Sequence, residues 1–225
     1  MKGFLPICRR DMEERGWHEL DFVFISGDAY VDHPSFGPAI ICRLLEKHGY
    51  KVGTIPQPDW HSTKDFNRLG KPRLGFLVSA GNMDSLLNKF TAAKKVRHED
   101  AYSPGGQAGH RPERAPIVYC NRLRELYPDV PIIIGGIEAS LRRIAHYDYW
   151  SNAIRRSILV DSQADLLIYG MGERAIIEIA ADLQQGIEVG NIQDVQGTCY
   201  RVPKKDYAWD LLELPSFEEV LADKN

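Results

Sequence analysis

Two short apolar runs, each stopping on glycines, constrain this chain more than any other feature. Pro131-Ile132-Ile133-Ile134 is β-branched, too short for a typical helix interior, and bounded by Gly135-Gly136. That is the pattern of a buried parallel strand ending in a tight turn. Asp165-Leu166-Leu167-Ile168-Tyr169 repeats it and stops on Gly170-Met171-Gly172. Glu173 then opens an amphipathic helix with Ala175, Ile176, Ile179, Ala180 and Leu183 on one stripe. Both turns therefore belong to one carboxyl edge of one sheet. Open α/β sheets bind ligands at that edge, because glycine lets backbone N–H groups approach closely and the next helix presents its positive end.

The rest of the chain alternates in the same way. Strands are expected at 21–26, 51–55 and 73–78, the last ending in the small residues Ser79-Ala80-Gly81-Asn82. One helix enters at Pro38, carries Ile40, Ile41, Leu44 and Leu45 on one face and ends near Gly49. A second is expected from about Met83 to Ala93, and a third bears Ile117, Cys120, Leu123 and Leu126. The alternation predicts a doubly wound, flavodoxin-like parallel sheet of about five strands with right-handed crossovers, Thr198 to Val202 extending or edging it. Residues 1–203 then form the α/β domain, and 204–225, acidic and weakly amphipathic from Tyr207, read as a linker. Residues 4–17 are polar without a clear period. The segment 94–115, with Pro104-Gly105-Gly106, Gly109 and Arg111-Pro112, is the least regular; a loop of that length in a compact domain is functional or disordered.

A net charge of -3 gives no global pull toward nucleic acid or anionic membrane, so any such affinity must be local. No apolar run approaches a membrane span and no signal-peptide core opens the chain, so a cytoplasmic setting is the default. Cys8, Cys42, Cys120 and Cys199 are scattered without a paired spacing and read as small buried hydrophobes.

Several clusters carry polar chemistry. Gly135, Gly136, Gly170 and Gly172, with Ser79, Gly81, Glu138 and Glu173, outline a groove for a phosphate or a flat cofactor tail. Arg142 and Arg143 are placed to pair with an anionic ligand. Asp28, Asp32 and His33 can bind a metal or act as acid and base; a solvated loop with Asx turns and a His-Pro corner accounts for them equally well. His146, Tyr147 and Asp148 are expected over the carboxyl edge as candidate catalytic groups, following a short helix at 138–144. Arg142, Arg143, Arg155 and Arg156 bracket these residues and Tyr149 and Trp150. Such a mixture suits RNA phosphates and stacked bases. The first reading, however, is a face paired to Asp148 and Asp161.

Five strings resemble the YgiQ-type radical SAM family: GDAYVDHPSFG (27–37), SAGNMDS (79–85), DAYSPGGQAGHRP (100–112), GGIEASLRRIAHYDYW (135–150) and YGMGE (169–173). The resemblance covers most of residues 4–202 and implies an N-terminal domain similar to cobalamin-binding domains, followed by a catalytic core. For the intact protein it implies a [4Fe-4S] cluster, held by a CxxxCxxC triplet, that cleaves S-adenosylmethionine to a radical. This chain has no CxxxCxxC, so the cluster ligands are expected beyond it. Many cobalamin domains also carry D-x-H-x-x-G, whereas Asp32-His33-Pro34-Ser35-Phe36-Gly37 puts the histidine directly after the aspartate. The resulting expectation is an accessory domain that shapes or covers a radical SAM active site, with its own C-terminal core as partner. The alternative is an RNA- or protein-interaction module without a cofactor.

Overall fold

All five apolar runs form strands. In the computed structural model, which describes residues 3–202 and 212–223, they are β1 (Phe22–Ser26), β2 (Val52–Pro56), β3 (Gly75–Ser79), β4 (Ile132–Gly135) and, after a hairpin, β7 (Leu166–Ile168). They pair in parallel in the order β2-β1-β3-β4-β7, with Phe22 beside Val52 and Gly75, and Ile133 beside Leu166. The edge strand β8 (Thr198–Tyr200) runs antiparallel to β7. Crossovers are supplied by α2 (Gly37–Lys47), α3 (Ser85–Lys89), α4 (Ala115–Leu126), α5 (Gly136–Leu141), α6 (Ile158–Asp161) and α7 (Glu173–Gln184).

Strand period two sorts the core into two layers. Val23, Ile25, Phe76, Val78, Ile132, Ile134 and Leu167 face Tyr119, Cys120 and Leu123 of α4. Phe22, Phe24, Leu77, Ile133, Leu166 and Ile168 face Cys42 and Leu45 of α2 and the stripe Ala175, Ile176, Ile179, Ala180 and Leu183 of α7. Burying one such isoleucine or leucine stabilises by ~1.5–3 kcal/mol, so both layers hold the strand ends in place beneath the carboxyl edge.

Three local readings change. The helix expected from Met83 to Ala93 is only α3, because Asp84 caps it through the N–H groups of Leu86 and Leu87 and Phe90 turns extended (φ -122°, ψ 151°). The polar start contains a short helix, α1 (Arg9–Glu14), begun where the Asp11 carboxylate accepts the N–H groups of Ile7 and Cys8. The segment after α5 is an antiparallel hairpin, β5 (His146–Asp148) with β6 (Ala153–Arg155). The long segment at 94–114 has one 3-10 turn, Pro104–Gly106, and is held to the body by buried Asp100. The expected linker, 204–225, falls partly outside the described residues, at 204–211 and 224–225; Phe217–Ala222 within it form α8, capped by Ser216 and lying beside β6. Among the described residues, no helix is long and apolar enough to cross a membrane.

Candidate functional site

Where β1, β3, β4 and β7 end, the connections part and leave an open cleft of about 290 Å3. Its floor is Phe24, Leu77, Ile133 and Ile168. Its rim is Ser79, Gly81, Asn82, Gly135, Gly136, Gly170 and Gly172, and α2 and α7 supply the walls through Ile40, Ile41, Glu173 and Ile176. The glycines keep it open. At Gly136, φ is +85°, and a Cβ would stand 2.6 Å from Ser79 Oγ; at Gly81, φ is +101°, and a Cβ would stand 2.0 Å from an oxygen of Asp28. Ser140 stitches two of the turns together, its hydroxyl donating to the Gly136 carbonyl at 2.8 Å and accepting from the Gly170 N–H at 3.1 Å. Neither α2 nor α7 has a side-chain cap, so both leave first-turn N–H groups and a positive dipole end at the walls. Glu173, in the first turn of α7, is the carboxylate at that rim.

Beside the cleft lies a buried network of charges. Asp28 accepts from Arg111 Nη2 at 2.7 Å and from the Asn82 N–H at 2.7 Å. Burial pushes its pKa up against the opposing effect of Arg111. Arg111 also donates to the Met83 carbonyl and stands 3.7 Å from Asp100, which accepts from Asn88, Tyr102 and Ser103. Farther along, Arg142 clasps Asp84 through Nε at 3.0 Å and Nη2 at 2.8 Å and lies 3.6 Å from Asp148. Glu138 is 1% exposed. One of its oxygens accepts the N–H and the hydroxyl of Ser85 at 2.7 and 2.6 Å; Oε1 has no hydrogen-bond partner among the described residues. Burial, reinforced by the charge of Asp84, pushes the Glu138 pKa up to about 7.

Of the residues singled out in the sequence, Ser79, Gly81, Gly135, Gly136, Gly170, Gly172 and Glu173 line the cleft together. The others lie outside its lining. Asp32 is ion-paired with Arg43, and His33 is exposed, its Nδ1 accepting the Ser35 N–H at 3.1 Å. Arg143 donates to the Ser140 carbonyl and lies 4.9 Å from the centre of the Tyr169 ring. His146 has Nε2 3.4 Å from Arg142 and Nδ1 3.0 Å from the Ile144 carbonyl oxygen. Tyr147 is exposed and donates to Asn152 at 2.8 Å. Asp148 is 1% exposed and held by Arg114 and Ser151. Asp84, Ser85, Asp100, Arg111 and Arg114 were missed as a set. Arg111 and Asp28 are 83 residues apart in sequence, and no spacing signals such a pair.

Asp28, Asp32 and His33 thus face three different surroundings, and the described residues contain no group of three metal-ligating side chains. Cys42 and Cys120 are buried in opposite layers of the core, and Cys8 and Cys199 are half-buried. All four thiols are free.

Five parallel strands in the order β2-β1-β3-β4-β7, with an open, glycine-rimmed cleft at their carboxyl ends, define a flavodoxin-like α/β domain, the architecture that takes ligands at this edge. The family model described as "Radical SAM N-terminal" matches residues 4–225, and the chain belongs to that family. Among curated relatives, a "UPF0313 protein" of Clostridium perfringens is 59% identical over 222 residues, covering 98% of this chain and 34% of the relative. Another, of Clostridium botulinum, is 57% identical over 221 residues with the same coverage. The chain spans about a third of the length of these relatives, and the resemblance read from its five strings is borne out. A solved structure of the radical S-adenosylmethionine methyltransferase TsrM from Kitasatospora setae, with tryptophan substrate and a SAM analogue bound, covers 80% of this chain and 28% of its own. It does so at 14% identity with a TM-score of 0.49.

Proposed function

We propose that this chain is the accessory N-terminal domain of a cytoplasmic radical SAM enzyme, and that its cleft holds a flat, mainly apolar ligand or cofactor tail next to the active site. The observation that carries this reading is the cleft itself. An apolar floor, a glycine-rich rim and two uncapped helix ends meet at the sheet edge where such folds bind ligands. The iron-sulfur cluster does not fit this chain. Cys42 and Cys120 lie in opposite core layers and half-buried Cys8 and Cys199 in separate parts of the chain, so the thiolates of a cluster that takes S-adenosylmethionine come from the polypeptide beyond. For cobalamin, the cleft suits a tail, while His33 does not line it and supplies no cobalt ligand there.

The test is a titration of the full-length protein with hydroxocobalamin, read by absorbance and calorimetry. Binding should be lost in Gly136→Val and retained in His33→Ala. Absence of hydroxocobalamin binding, or binding indifferent to Gly136→Val, overturns this use of the cleft. The second reading is an RNA-contacting module centred on Arg142, Arg143, Arg155 and Arg156. These guanidinium groups are engaged by Asp84, the Ser140 carbonyl and Asp161, which favours the first reading. A steep salt dependence of RNA affinity, lost when Arg155 and Arg156 become alanine, would favour the second.

A further inference from the structure

Five large apolar side chains form a ridge at the mouth of the cleft. Ile137 and Leu141 lie one turn apart on α5, and Ile144 follows three residues after its end; they are 45%, 58% and 47% exposed. Across the turn after β7, Tyr169 is 37% exposed and Met171 87%. The hydrogen bond from Gly170 to Ser140 and the stacking of Arg143 on Tyr169 join the two halves into one surface. The acid of this segment, Glu138, points inward to Ser85, so the ridge carries no exposed carboxylate between Ile137 and Ile144. Contiguous apolar surface of this kind marks a place where another polypeptide sits.

We infer that the ridge docks the polypeptide that follows this region in the longer protein and that docking closes the mouth of the cleft. Two observations select that occupant. The relatives carry about two thirds of their length outside the matched region. The last described helix, α8, lies beside β6, which pairs with β5 directly after the ridge, so a following chain sets out from this same edge. Ile137 and Met171 belong both to the ridge and to the cleft lining, and a domain seated on them covers the ligand. Docking rests on the reading of this chain as the N-terminal part of a larger enzyme, but not on any ligand being bound.

The test uses the full-length protein with benzoylphenylalanine in place of Leu141, a residue outside the cleft lining. Irradiation without ligand should attach position 141 to a peptide beyond residue 225 of the same molecule. In the unmodified full-length protein, Met171 should be oxidised by peroxide several-fold more slowly than in urea. Failure to find that intramolecular crosslink, including attachment only to a second copy, overturns docking, as does oxidation of Met171 at the urea rate. A crosslink without hydroxocobalamin binding removes the ligand reading and leaves docking in place; binding without the crosslink does the reverse.

Discussion

Glu138 and Asp148 both feel the charge of Arg142, yet they titrate in opposite directions. Burial would raise the pKa of Asp148, but the Ser151 hydroxyl, the Arg114 guanidinium and the Arg142 charge outweigh it and hold the pKa down at about 2. Its folded pKa is below its unfolded one, so its contribution to stability is present above about pH 4 and lost as pH falls toward 2. Glu138 is raised to about 7. The folded state therefore binds the extra proton between about pH 4.5 and 7, and its contribution is full below that window and lost as pH rises through it. Urea midpoints of this chain should decline from pH 5 to 7, and Glu138→Gln should flatten that decline; an unchanged slope in the variant would refute the assignment. Glycine substitutions at the rim give a second residue-scale expectation. Gly136→Val pays about 1–3 kcal/mol for its positive φ and a comparable amount for crowding Ser79, where a Cβ stands at 2.6 Å. Gly172→Val has no positive φ but crowds Ile168 at 3.0 Å. At Gly105, Gly106 and Gly109 φ is positive too, but a Cβ meets nothing within 4 Å, so valine there carries the backbone cost alone and should cost less than at Gly136. Equal urea midpoints at all these positions would count against a tightly built rim.

At the scale of elements, Arg111 fastens the segment 94–114 to the end of β1 by bridging Asp28 and Asp100. Side-chain exposures of 2%, 1% and 2% for the three groups leave them almost no water to replace a lost partner. Arg111→Ala should therefore cost about 3–5 kcal/mol and make the 94–114 segment the first site of proteolytic cleavage; a melting temperature within error of the parent would contradict this. Such a clasp was illegible in the sequence because its partners come from distant segments. The strands were legible for the opposite reason: Ile132-Ile133-Ile134 and Leu166-Leu167-Ile168 are buried on both faces and so read as uninterrupted apolar runs. The hairpin was not, since His146–Asp148 and Ala153–Arg155 are 3 residues each, too short for a period of two to show. The cleft was legible through its glycines, whereas the positions of His146 and Asp148 depended on that hidden hairpin and on Arg114 and Arg142.

For the whole molecule, the proposed division of labour, with the cluster held beyond this chain, rests on where thiols can meet. A radical SAM cluster needs three thiolates on one loop so that one iron stays open for the methionine group. Here Cys42 belongs to α2 in one core layer and Cys120 to α4 in the other, with the sheet between them. Burial pushes both thiols far above the ordinary range, which disfavours the thiolate that iron requires. Cys8 sits before α1 and Cys199 in β8, and neither has a second cysteine in its own element. Bringing any three together would mean unfolding the sheet. The two-layer core is complete within the described residues, so this chain should fold alone, giving a cooperative urea transition. Anaerobic reconstitution with iron and sulfide should then leave less than stoichiometric metal on it and no broad cluster absorbance. A folded chain that retained a [4Fe-4S] centre would refute the assignment of the cluster to the rest of the polypeptide, and with it the view that this domain shapes the active site without holding its iron.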